Sequence, residues 1–360
     1  MWHGYLSGVI RRCVNMEILG NIEYRKLQVT GGSTFIVSLP KKWIKSNNLS
    51  SGDVVGVECL ASGEVQITPH EVKQIRRSVS IDLSKYPKSA LYDYLIGAYV
   101  SGADVINVSM KDGIPIQQKR VVRRFLRDTR GMEISEDEDK KISIISLLNP
   151  NELPLQTSLN RMYLLVTSLV EDTLGVLSGD DRDTISDYED RERQIDARRL
   201  LIDRQVAMAL HSPQIERGLG IDRYQAMEHA VMAHYLERMG DHAQTFASLV
   251  ADEQNNIEFE ENQMPMAAIP IWLSSLRAII RNTYSKDISV LIKAKQDLAK
   301  ATIDLEQHEN DLMSSRARAT SVLSEFRISE VVRRLCGYSI DLTETLINML
   351  IAGKTEASDK

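Results

Sequence analysis

The chain contains little cysteine and no long apolar segment, and both absences limit what it can be. Its three cysteines, Cys13, Cys59 and Cys336, are far apart and follow no metal-binding or redox spacing. Such isolated cysteines exclude a disulfide framework and are typical of a reducing compartment, so we expect a cytoplasmic protein. Because no uncharged apolar run reaches the roughly 18 residues of a membrane span, we expect no transmembrane helix.

Catalytic signatures are also missing. No Ser/His/Asp, Cys/His or lysine constellation has a recognisable catalytic context. Residues 31–34, with the sequence GGST, lack the spacing of a phosphate-binding loop and precede a strand pattern, so a glycine turn is the better interpretation. We therefore predict that the protein is not an enzyme.

Charge is distributed unevenly along the chain. The formal net charge is −6, yet residues 1–77 contain ten Lys or Arg against six Asp or Glu, a balance of +4 that leaves −10 on the remainder. No acidic residue occurs between Tyr24 and Gly52. A basic N-terminal part on an acidic body predicts an anionic partner for that part, most simply DNA.

Residues 17–69 have the pattern of a β-β-α-β-β unit, with Pro40 at the first position of a short helix over 41–45. Such a short unit has a thin core, so we expect a homodimer. Residues 1–15 are expected to be a disordered tail, with Met16 as an alternative start. The predicted strands of the unit are 24–29, 35–39, 54–59 and 65–68.

Residues 78–148 mix strand and helix patterns and predict a small α/β unit. The acidic run at 135–139 lies between two of its strands, and such runs are usually solvated turns, so we assign it no binding role. The predicted strands are 78–82, 104–109, 132–134 and 142–147, and the predicted helices are 89–100 and 115–126.

Helical periodicity extends over the whole chain after a linker marked by Pro150 and Pro154. Polar and glycine-containing breaks divide it into two groups of three helices, which predicts two tandem three-helix bundles in a multidomain, mainly α chain. The predicted helices are 155–177, 183–212, 219–252, 266–284, 286–316 and 319–353. The predicted domains are 16–74, 75–149 and 150–360, the last with repeats at 155–252 and 266–353.

Two acidic pairs stand out in the first helical repeat. Glu192 and Asp196 are four residues apart, as are Glu237 and Asp241, so each pair shares one helix face. Like charges at this spacing destabilise an isolated helix, which favours a hard cation or arginines shared between the two helices. The alternative is ordinary surface ion pairing, for example of Asp196 with Arg199.

The second repeat does not preserve these pairs. When it is laid on the first repeat, Asp196 corresponds to Met313, and Glu237 and Asp241 correspond to Arg333 and Gly337. A second metal site is therefore not expected.

Residues 235–243, YLERMGDHA, resemble the signature of PhoU-type phosphate-uptake regulators, and the resemblance extends over roughly residues 155–353. It implies two tandem three-helix bundles and a role in phosphate homeostasis, and some members bind metal clusters through Glu/Asp-x-x-x-Asp motifs. It therefore implies a divalent or iron ion in the first repeat. The metal ligands implied are Glu192, Asp196, Glu237 and Asp241.

Residues 25–34 and 37–43, together with the GDVV sequence at 52–55, resemble the swapped-hairpin DNA-binding domain of the AbrB/SpoVT class. Archaeal PhoU-like regulators combine such a domain with a PhoU body. The resemblance implies an intertwined homodimer that grips DNA. The cations expected to contact DNA are Arg25, Lys26, Lys41, Lys42 and Lys45.

The charge distribution and the two resemblances together imply a cytoplasmic, DNA-binding transcriptional regulator of phosphate uptake, whose helical bundles sense or transmit phosphate status. One alternative is an adaptor that inhibits a phosphate transporter through protein contacts, with the N-terminal domain used only for dimerisation. A di-metal carboxylate enzyme ranks last, because it requires paired Glu-x-x-His ligands on facing helices and the chain does not supply them.

Overall fold

The computed structural model describes residues 23–59, 63–69, 76–149, 153–252, 263–314 and 319–354. The chain forms two compact units, Met1–Ile75 and Arg76–Lys360. The expected tail at 1–15 lies outside the described residues, as does Met16. The predicted fold class is confirmed, because a β-rich N-terminal part precedes an α/β layer and long helices.

The described part of the first unit contains two antiparallel hairpins separated by a short helix, which confirms the predicted β-β-α-β-β order. Gly31 and Gly32 form the first hairpin turn with φ angles of +62° and +90°, a conformation that residues with a Cβ rarely adopt. Pro40 immediately precedes the helix instead of occupying its first position. The elements are β1 (Gln28–Thr30), β2 (Thr34–Ile36), α1 (Lys41–Ser46), β3 (Val55–Cys59) and β4 (Val65–Pro69).

No side chain among the described residues of this unit is buried. The apolar side chains of both hairpins instead face solvent in the single copy, with Phe35 67% exposed and Val57 64% exposed. Folding of one copy alone therefore buries little apolar surface. The other large apolar side chains exposed here include Leu27, Val29, Ile36, Val37, Val54 and Val65.

The second unit begins with the predicted α/β layer. Its sheet has the order β5-β6-β8-β7, in which β5 and β6 are parallel and the other neighbours are antiparallel. β7 continues to Asp137, so the acidic run at 135–139 is partly strand and not wholly the turn that was predicted. The elements are β5 (Ser78–Asp82), α2 (Leu91–Val100), β6 (Val105–Ser109), α3 (Ile116–Asp128), β7 (Met132–Asp137) and β8 (Lys141–Ser146).

Six long helices follow in the described residues and confirm the predicted helical region. They form the groups α4/α5/α7 and α8/α9/α10, and their buried apolar side chains make one continuous core. No helix among the described residues is both long and apolar enough to cross a membrane. The bounds are α4 (Leu155–Leu177), α5 (Tyr188–His211), α6 (Pro213–Leu219), α7 (Arg223–Ala251), α8 (Ala268–Ser285), α9 (Ile288–Ser314) and α10 (Ala319–Ala352).

Capping interactions explain why two helices begin later than predicted. A separate 3₁₀ turn precedes α5, where the side chain of Asp181 accepts a hydrogen bond from the backbone N–H of Asp183. At the start of α7, Asp222 accepts a hydrogen bond of 2.8 Å from the backbone N–H of Gln225, and the Gln225 side chain bonds back to the Asp222 N–H. This capping box stabilises a helix beginning at Arg223.

Helix α5 connects the helices to the α/β layer. The buried side chain of Arg204 donates hydrogen bonds of 2.8 and 2.9 Å to the carbonyl oxygens of Tyr99 and Ala103. Its guanidinium also lies 5.1 Å from the centre of the Tyr99 ring. Leu200, one turn earlier, packs into the apolar core of the α/β layer. One helix therefore belongs to both parts of the second unit.

Candidate functional site

Helices α5 and α7 pack closely at the level of the predicted acidic pairs. A Cβ atom at Gly240 would lie only 2.9 Å from Cδ1 of Ile195, which is closer than side chains normally approach. Gly240 therefore permits a short distance between the two helices at this level. Asp196 directly follows Ile195 in the sequence, and Asp241 directly follows Gly240.

Three of the four predicted metal ligands come together here. One carboxylate oxygen from each of Glu192, Asp196 and Asp241 lies within 4.8 Å of the other two. All three side chains are half-buried, and Oδ1 of Asp196 is buried without a hydrogen-bond partner in the described part of the chain. We call these three residues the acidic group. A hard cation such as Mg²⁺, Ca²⁺, Mn²⁺ or a non-haem iron ion suits three converging carboxylates.

Electrostatics at the acidic group disfavour three simultaneous negative charges. Burial raises the pKa of Glu192 to about 7, and the charges of Asp196 and Asp241 add to this shift. Burial and the charge of Asp241 also raise the pKa of Asp196. Either protons or a cation must therefore offset the repulsion when the helices pack.

Glu237, the fourth predicted ligand, lies outside the acidic group. Its Oε1 is 3.8 Å from Nε of Arg199 on the facing helix, and its Oε2 is 3.7 Å from Nδ1 of His234. Burial, followed by the charge of Asp241, raises its pKa to about 7 despite the nearby Arg199. The sequence suggested that either an arginine or a hard cation offsets the acidic pairs. The arginine explanation applies to Glu237, which lies near Arg199, and the cation explanation applies to the acidic group.

The surface ion pairs offered as the alternative differ from those observed. Arg199 pairs with Asp203 at 2.7 Å, not with Asp196. Arg238 donates a hydrogen bond of 2.8 Å to Oδ2 of Asp241, so this member of the acidic group has one cationic neighbour. Among the ion pairs of the described residues, none includes Glu192 or Asp196. Surface pairing therefore does not account for these two carboxylates.

The second helical group has an arginine where the first has carboxylates. Nε of Arg333 donates to both carboxylate oxygens of Glu309, at 3.0 and 3.2 Å. The Ser329 hydroxyl also donates to Glu309 at 3.2 Å. Glu309 and Arg333 correspond in the sequence to Glu192 and Glu237. A guanidinium thus neutralises the buried carboxylate, and within the described residues the acidic group is not duplicated.

Four of the five cations predicted to contact DNA are exposed, and they form no ion pair within the described residues. They are Lys26, Lys41, Lys42 and Lys45, of which the last three lie on α1. Arg25 differs, because its guanidinium pairs with the carboxylate of Glu23. Glu23 lies directly before the acid-free stretch that begins at Tyr24. A carboxylate therefore compensates the charge of Arg25, and contact of the five cations with DNA stays a prediction.

A test of the electrostatics uses the metal-free protein and the variant Glu192→Gln. The folded pKa of Glu192, about 7, lies above its ordinary value of 4.5. Ionised Glu192 therefore lowers the free energy of unfolding. This destabilisation is absent below the ordinary pKa and grows as the pH rises to and through the folded pKa. Because the group is half-exposed and screened, we expect the variant to gain about 1 kcal/mol at about pH 8 and little at about pH 5. Thermal unfolding should show a gain of about 2–4 °C at the higher pH.

Glu189→Gln is the matched control, because Glu189 is exposed on the same helix and the substitution removes the same charge. It should shift the midpoint equally at both pH values. An equal shift for Glu192→Gln at both pH values would contradict the electrostatic interpretation.

Comparison with known families supports both parts of the resemblance. The PhoU domain family matches residues 159–250, which lie in α4 to α7. The family described as antidote-toxin recognition MazE, bacterial antitoxin, matches residues 28–74. The PhoU match ends with the first helical group, so α8 to α10 lie outside it although the resemblance was expected to reach residue 353.

Among solved structures, the chain is similar to the phosphate transport system regulatory protein PhoU from Streptococcus pneumoniae. The identity is 20% and the TM-score is 0.47, with 57% of this chain and 96% of that protein covered. No curated protein matches the chain significantly. The two family matches show that the chain combines an N-terminal MazE-type domain with a PhoU domain.

Proposed function

We propose that the protein is a dimeric, DNA-binding regulator of phosphate uptake, with a metal ion on its PhoU domain. The observation that carries this proposal is the presence of two domains of different families in one chain. A MazE-type unit presents exposed, unpaired lysines on α1, and a PhoU domain follows it. Phosphate regulation comes from the PhoU resemblance, and DNA binding comes from the charge of the first unit.

Dimerisation is supported by the absence of buried side chains in the described part of the first unit. Two hairpins with apolar side chains such as Phe35 and Val57 are marginal in water unless another surface covers them. A second copy supplies that surface with matching chemistry, and a twofold arrangement is the commonest symmetric solution. The dimer also doubles the number of lysines that one DNA duplex can meet.

Sedimentation velocity on the full chain tests this dimer. We expect the wild type to sediment as a dimer at micromolar concentration and Phe35→Asp to shift it toward monomer, because a buried unpaired carboxylate opposes association. Ile303→Asp is the control, since Ile303 is exposed to a similar extent, 65% against 67% for Phe35, but lies on α9. A monomeric wild type would contradict the dimer, as would an unchanged Phe35→Asp variant.

DNA binding is supported by the placement of three lysines on one short helix. Lys41, Lys42 and Lys45 lie within α1, and the helix contains no acidic residue. Lysines on an exposed surface contact phosphates and release counterions, which gives affinity that falls steeply with salt and depends little on sequence.

Fluorescence anisotropy with a mixed-sequence duplex tests this role. The logarithm of the binding constant should fall linearly with the logarithm of the salt concentration. Lys42→Gln should reduce the slope by about two, because each copy of the dimer loses about one phosphate contact. Lys88→Gln, an exposed lysine of the second unit, should leave the slope unchanged. Absence of binding even at low salt would instead favour the adaptor that uses its first unit only to dimerise.

The metal proposal is supported by the acidic group. The three carboxylates supply hard oxygen ligands at one level of the α5–α7 contact. A cation would stabilise the ionised forms of Glu192 and Asp196 most, because their pKa values are raised. A bound divalent or iron ion would offset the repulsion between these carboxylates and hold the two helices together. Glu237 stays close to Arg199 in this arrangement.

Elemental analysis of the purified chain tests the metal site. We expect about one metal ion per chain in the wild type and loss of most of it in the variant Asp196→Asn with Asp241→Asn, which removes two of three charged ligands. The exposed Glu189→Gln control should retain the metal. Equal metal content in the wild type and the double variant would reject the site.

A further inference from the structure

A cleft lined by arginines lies between the α/β layer and helix α5. Its volume is about 350 Å³, within the usual range of small-molecule sites. Arg127, in the last turn of α3, and Arg130, in the loop that follows, come from the α/β layer. The other lining residues, all on α5, are Asp190, Arg193, Gln194 and Ala197.

The cleft has an excess of positive charge. Asp190 accepts a hydrogen bond of 2.7 Å from Arg193, so the charges of these two residues compensate each other. Arg127 and Arg130 do not appear in the ion pairs of the described residues. Two guanidinium charges are therefore left without a carboxylate partner along the wall formed by the α/β layer.

Arg198 on α5 lies near Arg130. Burial lowers the pKa of Arg198, and the charges of Arg130 and Arg161 lower it further, so each of these two guanidiniums is close enough to repel that of Arg198. Nε of Arg130 and Nε of Arg198 are both buried without a hydrogen-bond partner in the described chain. Buried donors of this kind usually have a partner, and for Arg130, which lines the cleft, an anion would provide one.

The backbone around Arg130 fixes its position. Its carbonyl oxygen accepts a hydrogen bond of 3.0 Å from the Tyr99 hydroxyl. The next residue, Gly131, has a φ of +70°, and a Cβ there would lie 2.0 Å from Cγ of Leu148. A glycine is therefore required at this point, and the chain turns so that Arg130 faces α5. Preorganisation of this kind reduces the cost of binding.

We propose that this cleft binds a small phosphate-containing anion, with Arg127 and Arg130 as its main ligands. Guanidiniums match phosphate oxygens with paired N–H groups, and the excess positive charge favours an anion. The carboxylate of Asp190 adds selectivity. Monohydrogen phosphate carries an O–H that can donate to it, whereas sulfate has no proton and would be repelled.

Isothermal titration calorimetry on the full chain tests the proposal with inorganic phosphate, pyrophosphate, adenosine monophosphate and sulfate as separate probes. We expect about one bound anion per chain, and the probe that binds most tightly identifies whether the phosphate is free or part of a nucleotide. Arg127→Gln should weaken that binding about tenfold, because one charge-assisted ligand is lost. Arg130→Lys should weaken it as well, since lysine keeps the charge but lacks Nε and the planar fork.

Two control variants make the result specific. Arg123→Gln removes the same charge from an exposed position of α3 that does not line the cleft, and it should bind phosphate like the wild type. Asp241→Asn should also bind normally, which separates phosphate held by guanidiniums from phosphate held by a metal at the acidic group.

Three results would overturn the proposal. They are the absence of binding for every probe in the wild type, equal loss in Arg127→Gln and Arg123→Gln, and loss in Asp241→Asn. Sulfate that binds as tightly as phosphate would overturn the assignment to phosphate. The test measures only anion binding, so its failure leaves the proposed DNA binding untouched.

Discussion

The close contact between α5 and α7 at Ile195 and Gly240 is the constraint on which the rest of the second unit depends. Apolar packing holds the two helices together at this level, and the residues next to the contact carry carboxylates. The packing therefore brings Glu192, Asp196 and Asp241 to within 4.8 Å of one another and raises the pKa of Glu192 to about 7. Repulsion at this point makes a proton or a cation part of the folded state.

Helix α5 is the element that the acidic group and the arginine cleft share. One of its faces contributes Glu192 and Asp196 to the acidic group, and other residues of the helix line the arginine cleft. Arg204, on the same helix, is buried against the α/β layer. A cation on one side and an anion on the other would both bind side chains of this helix. The second helical group provides the contrast, because the ion pair between Glu309 and Arg333 neutralises its buried carboxylate from within the chain.

The sequence predicted the helices and the acidic pairs well, because both depend on spacing along one element. Periodicity placed α4 to within its observed bounds, and the i,i+4 rule placed Glu192 beside Asp196. Contacts between elements were not predictable in the same way. The position of Arg199 beside Glu237 depends on how α5 and α7 pack, and the cleft at Arg130 depends on the turn at Gly131. The pairing of Arg25 with Glu23 was local and was visible in the sequence.

The most direct test of the central claim is anomalous diffraction from crystals of the full chain grown with Mn²⁺. We predict one anomalous peak per chain between α5 and α7, about 2.2 Å from carboxylate oxygens of Glu192, Asp196 and Asp241, as expected for a hard cation with oxygen ligands. A map without a peak there, in which the oxygens of Glu192 and Asp196 approach each other to share a proton, would contradict the proposed metal ion.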